Sequence, residues 1–274
     1  MGWQARLSLR YRRDGDRTTA HDRHEGPLRV LQRLYPEGPA ICHHVLVHPP
    51  GGLVGGDRLE LDATLGAGAH AVLTTPGATR FYRSAGEPAQ QSVCARLEAG
   101  ARLEWLPMET LAYDGCQADN ALRFELAPGA EMIGWDVLAL GLPAADQPFR
   151  RGRVRLQLEL PGVWLERGTL DADDTLLRRS PLGWDGHDTL ATLWFSAGST
   201  IAPARRDVLV DAARALADAT GLLCGTSALH PQVIVLRALG GPVEPLMQLL
   251  VAVRAAWRRA AWDLAAAPPR IWQT

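Results

Sequence analysis

A strand-like segment, a glycine-centred turn and a second strand-like segment recur four times along this chain, and no other feature limits its fold as much. Residues 59–65 lead to Gly68-Ala69, 93–97 to Gly100-Ala101, 122–126 to Gly129-Ala130, and 154–160 to Gly162. The four glycines are spaced by 32, 29 and 33 residues. Inside each segment the side chains alternate with a period of two: Val154, Leu156, Leu158 and Leu160 share one face, and Arg153, Arg155, Gln157 and Glu159 the other. That is the pattern of a half-buried strand. One such hairpin covers only one face, so a unit repeated at this period becomes stable when its neighbours cover it. The expectation for residues 1 to about 200 is therefore mainly β, a β-helix-like stack of strand-turn-strand units. An ordinary β-sandwich whose hairpins share turn chemistry is the alternative.

After Pro203 the period changes. Val208, Leu209, Ala212, Ala215 and Leu216 predict a helix over 204–220 that stops at Gly221. Leu246, Leu249, Leu250, Val253 and Trp257 predict a second over 245–267, ahead of Pro268-Pro269, and 231–239 reads as a strand between them. No flexible linker separates this segment, so the expectation is one domain over 1–274, with 204–274 packed on the 1–203 stack.

All 29 basic residues are arginine. Without lysine there is no P-loop to hydrolyse a nucleotide and no Schiff-base chemistry. A net charge of −1 gives no electrostatic footprint for nucleic acid or anionic membrane. The N-terminus lacks the features of a secretory signal, and the four cysteines, Cys42, Cys94, Cys116 and Cys224, show neither paired spacing nor disulfide density. A cytoplasmic location is the expectation.

The run from Cys42 to Asp57 gathers Cys42, His43, His44 and His48 with the glycines of Gly51-Gly52-Leu53-Val54-Gly55-Gly56. Thiolate and imidazole suit transition metals, and glycine-rich loops can cradle phosphate. On a strand, however, Cys42, His44 and His48 share one face and His43 the other, with alternate side chains about 6.5–7 Å apart. They cannot close around one ion without a second strand or chain. The phosphate reading is weaker, because residues 58–62 alternate as a strand instead of opening a helix, and Asp57 would repel the anion. Two tight turns fixing Asp57 account for the glycines better. Neither a Gly-x-Ser-x-Gly elbow nor a His-Glu-x-x-His pair is present, so no catalyst is specified.

Five groups of residues carry a family resemblance, in order over nearly the whole chain. They are Tyr35-Pro36-Glu37-Gly38; His48-Pro49-Pro50-Gly51-Gly52-Leu53-Val54-Gly55-Gly56-Asp57; Leu73-Thr74-Thr75-Pro76-Gly77-Ala78-Thr79-Arg80-Phe81-Tyr82-Arg83-Ser84; Glu104-Trp105-Leu106-Pro107-Met108-Glu109-Thr110; and Arg270-Ile271-Trp272. Together they resemble the urease accessory protein family UreD, called UreH in some species. Two departures stand out, an extra imidazole at His44 and Gln273 where alanine is frequent.

The resemblance implies a non-enzymatic scaffold with a helix-like stack of strands and two helices. It implies partnership with UreF, through it with the GTPase UreG, and with apo-urease, nickel being supplied by UreE. No tightly bound cofactor is expected, only transient Ni(II). On a nickel route, the resemblance makes Asp57 the first candidate, with Glu109, Asp114, Thr75, Tyr82 and His48 behind it and Cys42, His43 and His44 weaker. A stand-alone nickel-binding or storage protein is the alternative.

Overall fold

The computed structural model describes residues 2–273, excluding the side chain of Gln273. The chain opens with a hairpin of β1 (Gln4–Asp14) and β2 (Arg17–Glu25), then the short β3 (Arg29–Val30) and the buried β4 (Ile41–Val47). One coil follows as β5 (Arg58–Leu65), β6 (His70–Thr74) and β7 (Thr79–Phe81), and the next as β8 (Ala89–Leu97), β9 (Arg102–Leu106) and β10 (Thr110–Ala112). A further coil starts with β11 (Cys116–Leu126) and β12 (Glu131–Leu140). A second hairpin, β13 (Gly152–Leu160) and β14 (Trp164–Asp171), precedes the one-turn α1 (Thr175–Arg179) and β15 (Thr189–Ala197). The chain ends with α2 (Pro203–Asp218), β16 (Leu223–His230), β17 (Val233–Gly240) and α3 (Val243–Trp262).

The strands form two sheets. One runs β14-β13-β11-β8-β5-β1-β2, and the other β16-β17-β15-β12-β9-β6-β4-β3, with β7 and β10 attached beside β12. Pairing along the coils is parallel: β1 with β5, β5 with β8 and β8 with β11 in the first sheet, β4 with β6, β6 with β9 and β9 with β12 in the second. The fold is thus mainly β, with about four solenoid-like turns and C-terminal helices. In-register stacking turns the alternation within each strand into ladders across strands. Leu7, Leu61, Val93, Leu122 and Leu158 occupy one rung after another and are all buried between the sheets. Burying each such side chain contributes about 1.5–3 kcal/mol.

Gly68, Gly100 and Gly129 have φ of 68°, 69° and 80°, and their turns lie directly over one another. A Cβ on Gly129 would stand 3.6 Å from the Gly100 nitrogen. Glycine is required here by the left-handed backbone, while the next coil leaves a Cβ at ordinary van der Waals distance.

The fourth unit departs from the expected repeat. At Gly162 the chain reverses, and β14 pairs antiparallel with β13 instead of crossing to the second sheet. The left-handed glycine serves a hairpin as well as a coil corner, so turn chemistry alone does not separate the two. Residues 4–47, which lack the strand–Gly-Ala–strand pattern, supply the first coil instead, since β1 and β4 pair parallel with β5 and β6.

The two helices cover the outer face of the second sheet, where Leu209, Leu246, Leu250, Val253 and Trp257 join Ile133, Trp135, Leu193 and Phe195 in one buried cluster. The last helix ends at Trp262 and not at 267. Asp263 turns left-handed at φ 52°, its N–H caps the carbonyls of Arg258 and Arg259, and the tail folds back so that Ala267 O accepts from Arg254. Among the described residues, no helix is long and apolar enough to cross a membrane.

Candidate functional site

The strand β4 divides the Cys-His-His run between two environments. Cys42 faces the layer between the sheets, as does His44, which is fully buried and shares a 2.6 Å hydrogen bond between its Nδ1 and the Tyr11 hydroxyl. Burial lowers the His44 pKa to about 4, so the ring is neutral at physiological pH. His43 points the other way, toward the helices, with Nε2 2.9 Å from Glu37. Among the described residues, no group of three or more His, Cys, Asp or Glu side chains is placed to hold a metal ion.

Asp57 is 2% exposed and committed to backbone. Its Oδ1 accepts from Trp3 N at 2.7 Å and its Oδ2 from Val54 N at 2.9 Å, which clamps the N-terminal strand to the glycine-rich loop. Gly51 and Gly56, at φ 81° and 90°, make the turns that deliver it there. Asp57→Ala is therefore expected to leave two N–H groups unpaired and to cost about 1–3 kcal/mol of stability, read from urea unfolding. An unchanged midpoint would contradict the clamp.

The other expected residues disperse. Asp114 accepts from Arg150 N and Arg151 N at 2.9 and 2.7 Å and pairs with the Arg151 guanidinium; burial raises its pKa, but these bonds outweigh it and the net shift is downward. Tyr82 packs edge-on against Tyr113, and Glu109 is half-buried on the β9–β10 connection. Thr75 uses its hydroxyl locally, donating to Gly77 O and accepting from Met108 N. Of these residues, His48 and Thr75 line one cleft of about 300 Å³ between the sheets, together with Gln91, Ser92 and Trp105. Burial lowers the His48 pKa, with the nearby Asp57 charge opposing.

Two polar features were not found from the sequence. The first is a small cavity of about 30 Å³, room for roughly one water, between β11, β12, β13, β14 and β15. Asn120, Asp136, Glu166 and Thr192 line it with leucines. Asp136 sits on the inward face of β12, paired in register with Thr192, and is half-buried where it meets the cavity. Burial first, and the Glu166 charge second, raise its pKa to about 6, while the Asn120 amide opposes them. Glu166 is itself paired with Arg237 at the surface. Asn120 reaches toward Asp136 Oδ1 at 3.5 Å and accepts from Gln91 at 3.2 Å, and Gln91 lines the larger cleft. A polar line thus runs across the coils from Glu166 through Asp136, Asn120 and Gln91 to the cleft of His48 and Thr75.

The second is a buried ionic cluster beneath α3. Glu104 Oε2 accepts from Arg254 Nε at 2.7 Å, Glu104 Oε1 lies 3.1 Å from His70 Nε2, and Arg258 Nε is 3.6 Å from the same oxygen. Arg258 Nη2 continues to Glu37 at 2.6 Å and so to His43. Burial opposes the Glu104 charge, but Arg254, His70 and Arg258 prevail and hold its pKa at about 2. Because an ionised carboxylate only accepts, His70 Nε2 carries the proton of that bond.

The signal for Asp136 is an acid within the otherwise apolar residues 132–140, and for Glu104 a lone acid before Trp105 and Leu106. An acid in an apolar strand face demands a partner or a cavity. Urease accessory protein UreD of Leptothrix cholodnii is 60% identical over the full length of both chains, and that of Methylibium petroleiphilum 58% identical over the full length of both. The protein of that name from Verminephrobacter eiseniae is 59% identical over 99% of each chain. The family described as UreD urease accessory protein matches residues 4–273. The chain therefore belongs to the UreD family of urease accessory proteins.

Proposed function

We propose that this protein acts in urease maturation as a non-catalytic scaffold that passes nickel toward the apo-enzyme along the polar line through Asp136. Family membership supports the role in maturation. The cavity at Asp136 is the observation that carries the nickel route. At pH 7 a group with a pKa near 6 is mostly ionised, and Asp136 then faces a water-sized space with no cationic partner on its own carboxylate among the described residues. A second carboxylate, Glu166, repels it, and a divalent cation relieves that repulsion. Two carboxylates, an amide and water are weak, exchangeable ligands, as a conduit needs; a cysteine-histidine cage would retain the ion.

In this reading UreF binds the protein and links it to the GTPase UreG, nickel comes from UreE, and assembly takes place in the cytoplasm. A chain without lysine cannot itself supply a P-loop, so nucleotide hydrolysis falls to a partner. The route is tested by plugging it. Asn120→Leu fills the cavity and interrupts the Gln91–Asp136 link, and is expected to lower urease activity in cells carrying all accessory proteins by about tenfold or more, a barrier increase of about 1.4 kcal/mol. Pull-down of urease with and without UreF must show that the complex still forms. Undiminished activation with an intact complex would remove Asn120 from the route.

A further inference from the structure

The 300 Å³ cleft has a chemistry that a cation route does not use. Its floor is apolar, from Leu46, Leu61, Val93 and Trp105, and its size is that of a small-molecule site. Three nitrogen-bearing side chains on its wall are unspent. Trp105 is 4% exposed, yet its indole Nε1, which can only donate, has no partner among the described residues. His48 Nε2 is buried and equally unpartnered. Arg80 also lines the cleft, and its guanidinium makes no ion pair or hydrogen bond with the described residues, whereas most arginines of this chain are paired.

We propose that the cleft is a binding site for a carboxylate carried on a small apolar body. Arg80 would hold the carboxylate, Trp105 N–H would donate to one of its oxygens, and the leucine and valine floor would take the hydrocarbon. A neutral ligand would leave Arg80 unpaired, and a cationic one would be repelled by it. A bound carboxylate would also cancel the Arg80 charge beside the end of the proposed nickel line, but its binding does not depend on that line.

Isothermal titration of the purified full-length chain with octanoate, 1-octanol and octylammonium tests the charge requirement at constant hydrocarbon. Octanoate is expected to bind saturably and about tenfold or more tighter than the other two. Arg80→Gln, a substitution of a half-buried residue outside the core, is expected to remove that advantage, and Trp105→Phe to weaken octanoate by about threefold to tenfold while retaining the ring packing. Acetyl-Ala-Ala-Leu as free acid and as amide distinguishes the source. A free acid that outcompetes octanoate assigns the site to a peptide C-terminus, and the reverse order assigns it to a free fatty acid-like metabolite. Absence of saturable octanoate binding, equal binding of all three octyl probes, or wild-type affinity in Arg80→Gln would each overturn the proposal.

Discussion

Asp136→Asn is expected to make the protein more stable and less able to activate urease. The carboxyl has a pKa of about 6 in the folded chain, above the ordinary range near 4. Folding therefore favours its protonated form. That contribution is complete below about pH 4 and is lost as pH rises through 6, so at pH 7 the ionised group costs the fold about 2–3 kcal/mol at most. Asparagine keeps the shape and never ionises. Urea unfolding at pH 7 should show a gain of about 2 kcal/mol, and the gain should vanish near pH 4. In-cell urease activation should fall by about tenfold or more, since the weak ligand of the route is gone. A residue that destabilises its own fold and is retained in the native chain fits a functional site better than a structural one. If Asp136→Asn were neutral or destabilising at pH 7, the raised pKa and the argument built on it would both fail.

Glu104→Gln should produce the opposite result, a large loss of stability. Glu104, Arg254 and Arg258 are essentially without solvent contact, and the carboxylate is the partner of both guanidinium groups. Removing one member of a buried pair leaves an uncompensated charge and costs about 3–5 kcal/mol. The same cluster governs acid sensitivity. The Glu104 pKa is depressed to about 2, so its contribution is present above the unfolded value near 4.5 and is lost as pH falls toward 2. Wild type should lose stability steeply across that window, and Glu104→Gln should show a shallower slope there. The double substitution Glu104→Leu with Arg254→Met should be less harmful than either change alone, because apolar groups replace the pair. Equal costs that simply add would show that the residues are not coupled. Since the cluster joins β6 and β9 to α3 and to the Glu37 segment, it fixes the helical layer against the coils and does not face the proposed route.

The sequence made the middle coils legible because three independent signals agreed: alternation within strands, glycine at three successive corners, and a nearly even spacing. It also separated His43 from Cys42 and His44, since strand geometry alone sends neighbours to opposite faces. The reversal at Gly162 was hidden, because a coil corner and a hairpin ask for the same left-handed glycine. Asp57 was legible as a fixed residue, but what fixes it, the Trp3 amide, lies 54 positions away and depends on how β1 sits beside β5. The polar line was invisible for a related reason. Gln91 and Asn120 meet only because β8 and β11 stack in register, and Asp136 meets Glu166 only because β14 folds back beside β13. Such partners are set by the register of the coils, which no single segment encodes.

Nickel transfer itself is the most direct test of the route. Apo-urease would be incubated with the assembled accessory complex containing either wild-type protein or Asp136→Asn, and radioactive nickel retained by urease would be counted after gel filtration. The proposed conduit requires that the variant complex, assembled to the same extent, deliver nickel about tenfold or more slowly. Delivery at the wild-type rate by an intact Asp136→Asn complex would contradict passage of nickel through this cavity.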